Sequence, residues 1–395
     1  MRNEAGCAKP IRTSSSGQKG KPVLASMRAG KKRHPYHRRR RMGQGAPVQP
    51  VNGAAVLGAI DVGTNACRLL IAVPDSHATG SGGQVLTIPK VIDSYTANVR
   101  LGESLERTGV ITEAALDRTV AALKICASRL KRRNVTHVKA IATEACRRAI
   151  NAQELVKRAE AEAGIRLVIV TPEEEARLAA AGCLQLIGRD FEGALIFDIG
   201  GGSTELILVR RNGIGAAARH DIAAWSSAPV GVVKLAERHG GCELPAKSYA
   251  AMRAELDKMF AAMKSELGPA VFDSGRYHLL GTSGTLTTLA GIKLGLRRYE
   301  RSRIDGQWLK RDDILQIMDF IVTRDFQDRA AIPCVGTDRA DLILPGCAIL
   351  GAIMENWPCA TLRVADRGLR EGMLIALLRE SELPPQLAII ETATS

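Results

Sequence analysis

Two stretches of this chain end an apolar run on an aspartate and follow it within two residues by glycine: Ile60-Asp61-Val62-Gly63-Thr64-Asn65 and Phe197-Asp198-Ile199-Gly200-Gly201-Gly202-Ser203. A third, Gly281-Thr282-Ser283-Gly284-Thr285, opens a helical pattern. Glycine at a turn lets several backbone N–H groups point at one spot with no Cβ in the way, and such a nest binds phosphate oxygens. A helix start adds its own attraction for anions. One glycine-rich turn is usually only a turn; three, two of them repeating the same aspartate-led pattern, point to a phosphate site. Asp198 and Glu205 flank the second turn, and a hairpin brings its two ends together, so both carboxylates can face one phosphate. Such a pair suits Mg²⁺, which takes one or two carboxylates and fills its remaining positions with water and phosphate oxygens. Asp61, in the matching place of the first turn, is a further metal or water-orienting candidate.

The run Glu173-Glu174-Glu175 opens a helix behind Pro172, where acids commonly just complement the helix dipole. Only one of the three need face the site, where it could take a proton from a water attacking phosphorus. Arg177 follows on the same helix. The seven histidines show neither metal spacing nor a triad arrangement, which favours direct attack by water over a covalent phospho-enzyme.

These residues need elements to position them. Short strands are expected at 56–60, 67–73, 90–99, 138–142 and 167–170, with helices at 112–132, 151–163 and 172–186. The strand-Asp-x-Gly-strand unit then restarts at Ala194 and is followed by helices around 235, 247–266, 286–294, 312–323, 340–355 and 369–379, with strands at 277–280 and 361–364. A repeated hairpin implies two related α/β lobes, and 46% hydrophobic residues in 395 suffice for two cores.

Charge is concentrated at one end. Residues 1–50 carry thirteen of the Lys and Arg against one acid, Glu4, so the net +14 resides mostly there. This Gly-, Ser- and Pro-rich arm, residues 1–53, is expected to be disordered and lacks the apolar core of an export signal. The longest apolar stretch, Ala340 to Met354, is broken by Asp341, Pro345 and Gly346, so no membrane span is expected. Nine scattered cysteines without a CxxC pair argue against a disulfide framework and for a reducing, cytoplasmic setting.

The segments AIDVGTNACRLLI, AIATEACRRAINAQEL, PEEEARLA, FDIGGGSTEL, APVGVVKL, GTSGTLTTLA, TDRADLILPGCAIL and VADRGLREGML, in this order over residues 54–380, resemble the exopolyphosphatase and guanosine-pentaphosphate phosphohydrolase family. PEEEARL followed by DIGGGSTEL is the discriminating pair. The resemblance implies a two-lobed actin-like, ribonuclease H-like α/β fold with the active site between the lobes: residues 54–178 as the first lobe, 179–374 as the second, and a C-terminal helix within 375–390 returning to the first. It implies Glu175 as the base that activates water, Mg²⁺ on Asp198 and Glu205 with Asp61 nearby, and phosphate contacts from Gly63, Thr64, Asn65, Arg68, Arg147, Gly200, Gly201, Gly202, Ser203, Thr282, Ser283 and Gly284. Ala66 and Glu173 depart from the common pattern, where Ser and Asn or Gly are frequent. By the same resemblance a short form without the family's added helical domain is expected, and a homodimer.

Inorganic polyphosphate is the favoured substrate and guanosine pentaphosphate the runner-up, since nothing in the motifs reads a guanine and the basic arm suits a long polyanion. A sugar or acetate kinase of the same superfamily would need an acceptor pocket. A non-catalytic polyanion-binding protein is disfavoured by the intact acids, and aromatic residues, at 4%, offer no stacking platform. If the arm tethers polyanions, removing residues 1–50 weakens binding of long-chain polyphosphate and flattens its dependence on salt; titrations at several salt concentrations check this, and an unchanged slope refutes it.

Overall fold

A computed structural model describes residues 55–74, 89–213, 219–240, 247–268 and 275–382; the basic arm lies outside them. The first sheet contains β1 (Leu57–Val62), β2 (Ala66–Val73), β3 (Lys90–Asn98), β4 (His137–Ala142) and β5 (Val168–Ile169) in the order β3-β2-β1-β4-β5. β1 pairs antiparallel with β2 and parallel with β4. The second contains β6 (Gly193–Ile199), β7 (Thr204–Asn212), β8 (Arg219–Ala228), β9 (Tyr277–Thr282), β10 (Trp308–Lys310) and β11 (Thr361–Ala365) in the order β10-β11-β9-β6-β7-β8. β6 pairs antiparallel with β7 and parallel with β9, as β1 does with β2 and β4. The sequence repeat is therefore a repeat of topology: hairpin, third antiparallel strand, then parallel strands on the other side.

β1 and β9 are buried at every position, as strands covered on both faces must be, and their near-continuous apolar runs made them legible. β8 was not anticipated. Its sequence RHDIAAWSSA shows no clean alternation because it is an edge strand with a single buried residue, Ala228. The helix at Glu113–Arg132 starts where expected, with the Thr112 hydroxyl accepting from Ala115 N at 3.3 Å. The helix expected over 172–186 is two pieces: Pro172–Cys183, capped by Thr171, and a 3₁₀ turn at Leu184–Leu186. No helix among the described residues is long and apolar enough to cross a membrane.

Two helices link the sheets. Pro172–Cys183 leads from β5 to β6 and packs Ala176, Ala179, Ala180 and Cys183 against Ile196 and Ile207 of the second sheet. The last helix, Leu369–Glu382, leaves β11 but packs Leu369, Met373, Leu374 and Leu377 against Leu57, Ala59, Leu70 and Ala72 of the first. The two helices meet backbone to backbone. A Cβ on Gly182 would lie 2.0 Å from the Gly368 carbonyl oxygen, and one on Gly372 would lie 1.8 Å from the Leu178 carbonyl oxygen. Backbone cannot yield as a side chain can, so Gly372→Ala should destabilise by about 1–3 kcal/mol through overpacking. The check is the urea midpoint, which should fall at unchanged slope; an unchanged midpoint would show that the helices do not touch here.

Candidate active site

Strand register delivers the acids. Across the first hairpin Asp61 stands opposite Arg68, and the tip closes with Gly63 N donating to Ala66 O at 3.0 Å. Across the second Asp198 stands opposite Glu205, and Gly200 N donates to Ser203 O at 2.9 Å. β9 runs parallel beside β6 and ends at Thr282, level with Asp198. Ser283 then holds φ 139°, a region L-residues rarely adopt, while its Oγ accepts from Thr285 N and caps the helix Gly284–Lys293. Backbone strain of this kind persists where surrounding structure imposes it, commonly at functional sites. The tips of the two hairpins touch: a Cβ on Gly201 would sit 2.9 Å from Thr64 Cβ.

A cavity of about 630 Å³ opens between them. Its wall includes Asp61, Gly63, Thr64, Asn65, Arg68, Glu175, Asp198, Gly200, Gly201, Gly202, Ser203, Glu205, Thr282, Ser283 and Gly284. Arg147 is not on this wall. Its guanidinium donates to Glu175 Oε2 at 2.7 Å and to the Val170 carbonyl at 3.0 Å, which brings it to the candidate base and not to the cradle. Of the acidic run, Glu175 alone lines the cavity; Glu173 pairs with Arg177 on the exposed surface and Glu174 lies 3.6 Å from Lys139.

Asp61, Asp198, Glu205 and Glu175 are thus among the carboxylates that line one space. Burial raises the pKa of Asp61, with Arg68 and Arg370 opposing. Asp198 is pushed up to about 7, by burial first and by the charges of Glu175 and Asp61, against Arg68. Glu205, which accepts from the Ser203 hydroxyl at 2.6 Å and the Ser227 hydroxyl at 3.1 Å, is raised by burial and by Asp198. Glu175 is raised by burial and by Glu205, with Arg147 opposing. Among the described residues neither Asp61 nor Asp198 forms a salt bridge. An all-oxygen donor set with excess negative charge fits a hard cation such as Mg²⁺. Among the described residues no three His, Cys, Asp or Glu close on one point.

Known proteins resemble this chain over most of its length. The Ppx/GppA phosphatase family model matches residues 79–381. The chain belongs to the Ppx/GppA phosphatase family. It is 27% identical over 334 residues to the protein named exopolyphosphatase 2 of Mycobacterium tuberculosis, covering 81% of this chain and 98% of that one. Among solved structures it is similar to an exopolyphosphatase from Cytophaga hutchinsonii, at 26% identity and TM-score 0.70 over 82% of this chain and 98% of that one. It is also similar to the Aquifex aeolicus member of the Ppx/GppA family, at 26% identity and TM-score 0.65 over 84% and 100%. The two-sheet α/β architecture is that of these two-domain phosphatases.

The Ppx/GppA cleft also holds residues to which sequence reading assigned no role. Glu144, Tyr299, Arg301, Arg339, Asp366 and Arg370 all line the cavity. Arg339 donates to Thr288 Oγ1 at 3.0 Å, and burial together with Arg68 lowers its pKa. The charge of Arg370 reaches Asp61 and Asp198. These side chains come from junctions between elements far apart in sequence, so no local spacing connected them; the segments ATEACRR, TDRADLILPG and VADRGLREG were the signal for Glu144, Arg339, Asp366 and Arg370.

The carboxylate cluster makes a pH prediction. A carboxylate whose folded pKa is raised gives stability that is complete below its unfolded value, near about 4, and is lost as pH rises through the folded value. With divalent ions chelated, the thermal midpoint should therefore decline from pH about 5 through Asp198's about 7 and beyond. Glu175→Gln removes one of the repelling charges, so its midpoint should decline less steeply. Parallel profiles for the two proteins would show that Glu175 does not share the field of the others.

Proposed function

We propose that this phosphatase is a Mg²⁺-dependent exopolyphosphatase that hydrolyses the terminal phosphoanhydride of inorganic polyphosphate by direct attack of water. The observation that carries the reading is Glu175: a carboxylate raised by burial, held by Arg147 on one side, and open on the other to a cavity walled by three phosphate-type turns. In this reading the terminal phosphate lies against backbone N–H groups of Gly63–Asn65 and Gly200–Ser203 and against the start of the Gly284–Lys293 helix. Arg68, Arg339 and Arg370 offset its charge and that of the departing chain. Glu175 accepts the proton of the attacking water as its oxygen bonds to phosphorus; the P–O bond to the next phosphate breaks, and orthophosphate and a chain shorter by one unit leave. Asp198 and Glu205, with Asp61 nearby, would hold Mg²⁺, which when bound neutralises charge on the transferring group and its leaving oxygen.

Polyphosphate is supported by the relatives' names and by a cavity lined with cations from widely separated elements, which suits a multiply charged anion. Phosphate release should be measured from long-chain polyphosphate and, in parallel, from guanosine pentaphosphate, each with Mg²⁺ or with EDTA. Expected is Mg²⁺-dependent release that is faster on polyphosphate, with kcat falling about 10²–10⁴-fold in Glu175→Ala. Faster release from guanosine pentaphosphate would reassign the substrate, and full activity in Glu175→Ala would remove Glu175 as the base.

A further inference from the structure

Beside the cradle lies a charged cluster with no assigned role, one member of which, Glu144, also reaches the cavity wall. The second hairpin tip is tied to the short helix Val232–Arg238: Val232 N and Val233 N donate to the carbonyls of Gly200 and Gly201 at 2.9 Å each, and Lys234 N donates to Gly201 O at 3.2 Å. The first tip is tied to Glu144, which begins a helical turn directly after β4: the Thr64 hydroxyl donates to Glu144 Oε2 at 3.2 Å. Glu144 also abuts the second tip, since a Cβ on Gly202 would lie 1.9 Å from its Oε2 and 2.9 Å from Thr64 Oγ1. Glu144 Oε1 is 3.4 Å from Arg148 Nη1 and 4.0 Å from Lys234 Nζ, and Lys234 Nζ is 3.7 Å from Glu106 Oε2. Glu106 in turn pairs with Arg148 and Arg238. Lys234 and Glu144 are each only 8% exposed.

We infer that Glu144 and Lys234 are positioning residues that clasp the two phosphate loops together, Glu144 fixing the first loop through Thr64 and Lys234 carrying the second through its helix. A carboxylate beside an anion site weakens anion binding unless it does something else, and a partly buried ion pair adds little net stability. Registry between two groups that must converge on one ligand is the task that fits. Each loop belongs to a different sheet, and Thr64, Gly202, Glu144 and Lys234 form the contact through which one loop locates the other. The inference rests on the proposed function for its substrate but not for its geometry.

The test is a double-mutant cycle of Glu144→Gln and Lys234→Met, reading kcat and KM on polyphosphate, orthophosphate affinity by calorimetry, and the thermal midpoint. Misaligned loops lose ground-state and transition-state binding alike, so each single variant should raise KM and weaken orthophosphate binding about tenfold while kcat changes little. The double variant should be no worse than the worse single, because both break one contact. Lys234→Arg should restore KM. Glu106→Gln, at a more exposed carboxylate, gives a milder form of the same effect and guards against misfolding of the others. A lowered midpoint with unchanged KM and unchanged orthophosphate affinity overturns the clasp, as do additive effects in the cycle. If the wild type releases no phosphate, the hydrolase reading fails by itself, and orthophosphate affinity across the same variants decides the clasp.

Discussion

Everything in the cleft follows from crowding four carboxylates, Asp61, Glu175, Asp198 and Glu205, around one cavity. Left to themselves such groups would protonate or push the structure open, since burial and mutual repulsion both act against charge. The fold tolerates them because their positions are set by strands that cannot move independently. Asp61 and Asp198 sit on β1 and β6, each hydrogen-bonded on both sides, and Glu205 lies opposite Asp198 by register. Opposing charge is supplied from elsewhere: Arg147 for Glu175, and Arg68 and Arg370 for the two aspartates. The remaining excess of negative charge is what gives the site a use for a cation.

The two hairpins share a topology and differ in one respect that divides the work. In the first, the residue opposite the aspartate is Arg68; in the second, it is Glu205. An acid facing a base is close to neutral and leaves its tip free to receive phosphate, whereas an acid facing an acid concentrates negative charge and suits a metal ion. A single change of residue type at one register position has therefore made the halves of a repeat complementary.

How much of this could be read from the sequence depends on distance along the chain. The hairpin acids, the glycine turns and Glu175 sit within short, patterned segments, and helix signals such as Thr112 and Thr171 at their caps placed the supporting elements within a few residues. β8 was missed because an exposed edge strand has no buried face to impose alternation. Arg147 was expected at the phosphate and stands instead against Glu175, a distinction decided by the Val170 carbonyl, which no pattern near Arg147 reveals. Glu144 and Lys234 were also opaque: each reads as an ordinary helix-surface charge until Thr64 and Gly202 close over them.

The crossing helices explain how the candidate base keeps its station relative to the rest. Glu175 lies on the helix that faces the second sheet, and Arg370 lies on the helix that faces the first. If these helices met through long side chains, their separation would vary with every rotamer change. They meet through Gly182 against Gly368 and Gly372 against Leu178, so backbone atoms set the spacing. The same glycines that remove side-chain volume thus fix the candidate base Glu175 from one helix and the Arg370 cation from the other to the two sheets that hold the remaining acids. Precision at the site is in this sense a property of the packing beneath it, and enlarging either glycine disturbs the geometry of residues that it never touches.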